Sequence, residues 1–190
     1  LINSARALGF GGFAASYRGV YGVKPNKNDT VFDKDKVYGF DFIQVEIGLP
    51  YRIDAYVRGG GDNNFDAIGF GVRYGIINVS DEKYKVNLLF LLGTNLGVHK
   101  YFYIKNYNTQ VALSMKFTSV IRPFASAGFS YSKFNVKTNN DPQIQDKNIY
   151  ESFPFYTAGI RFRFNWINFS IAYDIYEKED GFNTSVGVRF

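Results

Sequence analysis

Period-two alternation constrains this chain more than any other feature, and it recurs from one end to the other. Over 167–176 one parity carries Ile167, Phe169, Ile171, Tyr173 and Ile175, and the other carries Asn168, Ser170, Ala172, Asp174 and Tyr176. Over 68–76, Ile68, Phe70, Val72, Tyr74 and Ile76 stand against Gly69, Gly71, Arg73 and Gly75. Side chains of a β-strand point alternately to opposite faces, so such runs read as strands with one apolar and one polar face. Ten runs follow this rule, near 6–23, 36–49, 51–59, 66–78, 84–98, 109–118, 122–136, 152–165, 166–177 and 181–190. No window has helical periodicity, and no composition shift marks a linker, so 1–190 reads as a single domain.

Two architectures produce this alternation. In a soluble sandwich or barrel the apolar face packs inward. In a membrane barrel it meets lipid and the polar face lines the lumen. Ten strands of inward Phe, Ile and Leu would overfill a closed barrel. The polar parity is instead rich in Gly, Ser and Ala, which suit a crowded lumen. A two-sheet sandwich is the alternative that could absorb the bulk. No apolar run approaches the roughly 20 residues of a membrane helix, so a crossing must be made by strands. Aromatics form 19% of the chain. On the apolar parity they gather at the run ends: Tyr21, Tyr131, Tyr156 and Tyr173 at one, and Tyr51, Tyr74, Tyr84, Phe117, Phe164 and Phe190 at the other. Two aromatic girdles are the mark of a transmembrane barrel.

Long and short connections broadly alternate, which places the long loops at one end. The expected fold is therefore all-β: a transmembrane antiparallel up-and-down barrel of ten strands, or eight if the first hairpin is not continuous. An even strand number returns both termini to the short-turn, periplasmic end. The chain starts at Leu1 without Met, as expected of a processed chain whose export signal has been removed. The balance is +5, but charges are scattered singly, against a nucleic-acid partner. There is no Cys and a lone His99, which leaves no basis for a disulfide, a metal centre or a cofactor.

The C-terminal stretch "FNTSVGVRF" places Phe182, Thr184, Val186, Val188 and Phe190 on one parity. A closing strand of this kind, ending in an aromatic, resembles the C-terminal signature of bacterial outer-membrane β-barrel proteins. The resemblance implies an outer-membrane location, lipid as surroundings, and recognition of Phe182, Val186, Val188 and Phe190 by the barrel-assembly machinery. "SARALGFGGF" (4–13) is similar to the mature N-terminus of the long-chain fatty-acid transporter family. It is expected to mark a first strand with a glycine bulge.

Parity assigns Arg18, Arg52, Arg58, Arg73, Lys85, Lys116, Lys133, Arg161, Arg163 and Arg189 to the lumen as bases, and Glu46, Asp54 and Asp174 as acids. The excess of bases fits a narrow anion-favouring, porin-like transport pore. A filled lumen suits a structural or interaction protein instead. Catalytic residues are not expected. The alternative is a lipid-modifying enzyme centred on His99, with Asp174 as its best inward carboxylate. "HKY" (99–101), however, lacks the His-x-Ser pair of lipid A deacylases. A second alternative is a surface adhesin acting through the loops 24–36 and 137–151. The segment 99–108, with Tyr101, Phe102, Tyr103, Ile104 and Tyr107, reads as an apolar connection with three possible roles: extending the hairpin, folding into the barrel mouth, or meeting a protein partner. Gly59-Gly60-Gly61-Asp62 reads as a hairpin tip, since no helix follows to make it a phosphate loop.

Overall fold

The computed structural model describes residues 5–24, 38–62, 65–77, 82–137, 147–177 and 180–190. Among them ten antiparallel strands close a barrel, each paired with its sequence neighbours and the first with the last. They are β1 (Phe13–Lys24), β2 (Tyr38–Gly48), β3 (Ile53–Asp62), β4 (Phe65–Ile77), β5 (Val86–His99), β6 (Phe102–Met115), β7 (Ile121–Val136), β8 (Asn148–Phe164), β9 (Ile167–Tyr176) and β10 (Asp180–Arg189). Closure leaves no strand edge unpaired, the condition for placing backbone in lipid.

The short-turn end is built from tight reversals. Phe164 pairs with Ile167 across Asn165 and Trp166. Asn165 has φ 53°, the left-handed region in which Asn is tolerated. Tyr51, Arg52 and Tyr84 also have positive φ (61°, 64° and 64°), all in turns at this end. The seam lies here as well. β1 and β10 pair from Ala14 with Arg189 to Gly22 with Gly181. The Phe190 amide donates to the Phe13 carbonyl (2.8 Å), and the Phe13 amide donates back (3.2 Å). The Phe190 ring stacks on Trp166 at 6.2 Å. The terminal aromatic is thus fixed to both ends of the closure and does not fray.

Outside, the outward parity of the strands is mainly apolar and more exposed than the inward one. The belt includes Ile43, Val57, Ile68, Phe70, Val72, Leu113, Phe129, Ile160, Phe169, Ile171 and Val186. Tyr51, Tyr74, Tyr84, Phe117, Phe164, Trp166 and Phe190 ring it at the short-turn end, and Tyr107, Tyr131, Tyr150, Tyr156 and Tyr173 at the other. The barrel is therefore inside out relative to a soluble one: Ile43 is 60% exposed, while Asp54 and Asp174 are fully buried.

Three expectations require correction. First, the chain from residue 5 to 12 does not extend β1. Gly9 (φ 86°) and Gly11 (φ 77°) turn it, and Ala5 and Ala7 are buried. The Ala5 amide donates to Ser114 Oγ (3.1 Å) and the Leu8 amide to Asp54 Oδ1 (2.9 Å), so this stretch enters the barrel mouth. Second, 99–108 is not a loop. β5 ends at His99 and β6 begins at Phe102, with Val98 opposite Tyr103 and Asn95 opposite Asn106. Alternation persists there, with Phe102 and Ile104 on one parity and Tyr103 and Tyr107 on the other, and β-formers extend the hairpin. Third, Gly59 to Asp62 lie in β3, paired with Ile68 to Phe65. A Cβ on Gly60 would stand 2.1 Å from the Asp41 carbonyl, so glycine permits the close approach of β2. The loop residues 25–37 and 138–146 lie outside the described residues.

Candidate functional site in the barrel lumen

Small inward residues leave room for long polar ones, and the strands bring several together near the short-turn end. The Arg18 guanidinium (β1) donates to Glu46 Oε1 (β2) at 3.1 Å. Arg73 (β4) donates to Glu46 Oε2 and, at 3.0 Å, to Asp54 Oδ2 (β3). All four are buried. Glu46 also accepts from Gln44 Nε2 (2.5 Å). A buried charge persists only when paired and hydrogen-bonded, and here one carboxylate serves two guanidinium groups. Arg189 donates to the Ala7 carbonyl (2.8 Å), tying β10 to the inserted segment. Ala5 packs with Tyr56, Leu89, Leu91 and Ala112 into an apolar cluster in the same half.

Across the barrel, Asp174 (β9) takes hydrogen bonds from Thr157 Oγ1 (2.6 Å) and Asn183 Nδ2 (2.7 Å). Arg161 donates to Asn168 Oδ1 (3.1 Å), and Ser170 pairs with Ser185. Asp174 is thus held by neutral partners.

Several lumen assignments are displaced. Lys133 belongs to the outer parity. In β7 the inward residues are Phe124, Ser126 and Ser130, and the unbroken register from Ile121 to Asn135 carries Lys133 out with Tyr131. Its Nζ lies over the Tyr150 ring at 5.6 Å, a cation–π contact suited to the membrane boundary. Lys85 precedes β5, is exposed and pairs with Glu82. Arg52 lies in the β2–β3 turn, where its positive φ takes the side chain out of alternation; it donates to the Ile76 carbonyl (3.4 Å). Lys116 lies past the end of β6, half-buried beside Lys83. Arg163 is at the short-turn rim and donates to the Asn165 carbonyl (3.0 Å). Sequence reading missed Arg122: it shares the parity of Phe124 and Ser126, and its Nε is buried. That parity was available to find it.

The outer half of the lumen is different. Phe40 and Phe42 share the parity of Gln44 and Glu46, and Phe153 and Phe155 that of Thr157 and Arg161, so all four point inward. With Arg58, Asn95 and Asn108 they line a cavity of about 410 Å³. Arg58 Nε donates to Asn95 Oδ1 (2.8 Å), and its guanidinium lies over the Phe42 ring at 5.1 Å. His99 sits at the rim, stacked on Phe102 at 4.5 Å, and its Nδ1 accepts from the Tyr101 amide (3.2 Å). No hydrogen bond joins it to Asp174, both of whose oxygens are engaged elsewhere.

No protein-family model matches the chain, and no curated protein matches its sequence. Several solved structures are similar. The N-terminal β-barrel domain of Pseudomonas aeruginosa OprF is 14% identical, with 96% of this chain and 99% of that chain covered and a TM-score of 0.47. Ail, the attachment invasion locus protein of Yersinia pestis, is 12% identical over 95% and 99%, with a TM-score of 0.41. LpxR from Salmonella typhimurium is 10% identical over 93% and 99%, with a TM-score of 0.43. The chain's own geometry, a closed ladder with an apolar outer belt, two aromatic rings and a buried polar interior, is that of a transmembrane β-barrel.

Proposed function

We propose that the protein is a non-conducting outer-membrane barrel, a structural or interaction protein with its lumen closed in the periplasmic half. The filled short-turn half of the lumen carries this reading. There Arg18, Arg73, Glu46 and Asp54 bond to one another, and the inserted stretch is tied in by the Ala5 amide to Ser114 and the Leu8 amide to Asp54. The orientation follows the usual asymmetry of such barrels, with the short turns and both termini in the periplasm and the long loops outside. In that orientation the ends of β1, β2, β7 and β8 that flank the long connections face the surroundings of the cell, which suits contact with a partner. The seam at Phe190 is the end the assembly machinery would read.

Purified protein reconstituted in planar bilayers is expected to give no unitary conductance. Reproducible anion-selective channels would overturn the closed reading and favour the narrow basic pore. For orientation, a cysteine introduced at 140 should react with a membrane-impermeant maleimide on intact cells, and one at Asn165 should not. The reverse pattern would invert the barrel.

A further inference from the structure

The outer half of the lumen departs from the rest of the interior. Elsewhere the inward parity is mainly Gly, Ser, Asn, Gln and Arg, with Tyr56, Leu89, Leu91 and Phe124 packed among them. Here it carries aromatic rings on two arcs. Phe40, Phe42, Phe65 and Phe102 form one, with Phe40 against Phe65 at 5.6 Å and Phe65 against Phe102 at 6.1 Å. Phe153, Phe155 and Tyr176 form the other, with Tyr176 6.0 Å from Phe153 and 6.2 Å from Phe155. Such rings in a polar lumen are not demanded by the lipid outside, and they enclose space without filling it. The cavity of about 410 Å³ lies in the size range of small-molecule sites. A second hollow of about 400 Å³ shares Val20, Phe153 and Tyr176 with it and continues beside Tyr21, Glu151 and Asp180 at the long-loop end.

The polar groups of the cavity are few. Arg58 makes no ion pair with a described carboxylate. Its partners among the described residues are Asn95 Oδ1 and the faces of Phe42 and Tyr56. Nε and Nη2 each donate to Asn95 Oδ1, which leaves the Nη1 hydrogens and the second Nη2 hydrogen as in-plane donors for an anion. Asn108 Oδ1 lines the same space, buried and without a hydrogen-bond partner. Aromatic walls, one fixed cation and one free acceptor together define a ligand.

We propose that the outer lumen is a binding site for a small apolar acid, whose anionic group meets Arg58 and whose apolar body lies between the two aromatic arcs. A hydroxyl or N–H on that body would satisfy Asn108. This goes beyond the closed-barrel reading and is independent of it, because binding can be present or absent whether or not the barrel conducts. Glu151 and Asp180 beside the outer hollow oppose an anion's approach, so association should be faster at higher salt.

The test uses the full chain in lipid nanodiscs, titrated with 2-naphthoate and with its neutral counterpart 2-naphthalenemethanol. Empty nanodiscs give the partition background. Saturable binding with about a tenfold preference for the acid is expected, the size of one charge-assisted hydrogen bond. Arg58→Gln should abolish the preference while keeping binding of the alcohol, and Arg58→Lys should retain much of it. Ala67→Trp, which fills the cavity, should remove both. Folding of each variant is checked by its heat-modifiable mobility in SDS gels. If uptake equals that of empty nanodiscs, or the acid has no advantage over the alcohol, the proposal fails. It fails equally if folded Arg58→Gln keeps the full preference.

Discussion

The two halves of the lumen are made by the same ten strands and differ in nearly everything else. The short-turn half is charged, packed and interlocked: Glu46 bonds Arg18 and Arg73, Asp54 bonds Arg73 and the Leu8 amide, and Leu89 and Leu91 are buried with Ala5. The long-loop half is aromatic and hollow. Filling follows from what can be satisfied. A charge inside a barrel must be surrounded by partners, so charged residues draw in side chains and even the N-terminal segment. Phenylalanine rings carry no polar atom that needs a partner, so they can line a space without closing it. Stability should therefore reside in one half and recognition in the other.

The largest expected effect breaks the filled half. Glu46→Gln removes the charge shared by Arg18 and Arg73, taking that carboxylate from both buried guanidinium groups while Arg73 keeps Asp54. Loss of a buried partner costs about 3–5 kcal/mol. Urea unfolding in lipid vesicles should register that loss, and a change under about 1 kcal/mol would mean water reaches the network and the half is not closed. Leu89→Ala comes next, because Leu89 is fully buried beside Ala5 and Tyr56, and such truncations cost about 2–4 kcal/mol. Phe153→Ala, on the hollow side, should cost about 1 kcal/mol or less, since its ring already borders empty space. Equal costs would erase the difference between the halves.

The next prediction concerns the seam of the filled half. Deleting Phe190 removes the hydrogen-bond pair to Phe13 and the ring on Trp166. Membrane insertion in cells should fall several-fold, while the unfolding midpoint of refolded protein moves little. Unchanged insertion would reduce the terminal aromatic to a strand end. The smallest effect lies at the β8–β9 turn. Asn165→Ala should cost about 1 kcal/mol because Ala disfavours φ 53°, and Asn165→Gly should be nearly neutral. If both variants match the wild type, the turn is not the constraint it resembles.

Much of this was legible in the chain. Parity assigned Arg18, Arg73, Arg161, Glu46, Asp54 and Asp174 to the interior, where the structure buries them. It also contained the placements of Phe40 and Phe42, which share parity with Glu46, and of Arg122, whose parity is opposite to that of the outward Tyr131. Lys133 was misassigned because its parity with Tyr131 was not carried through. Lys85 and Arg52 lie in turns, where alternation lapses and parity has no meaning.

The sequence alone determined an antiparallel barrel of ten or eight strands, the two faces of each strand and the apolar belt, because alternation is a property of a single strand. It could not determine height. Whether Phe40 stands level with Phe155, or Glu46 level with Arg73, depends on the register accumulated from strand to strand around the barrel. Nor does alternation describe a segment that leaves the sheet, as Ala5 to Leu8 does after the turn at Gly9 and Gly11. Only closure of the barrel decided that the charges gather at one end around the N-terminal segment, and that the aromatic rings meet around a cavity at the other.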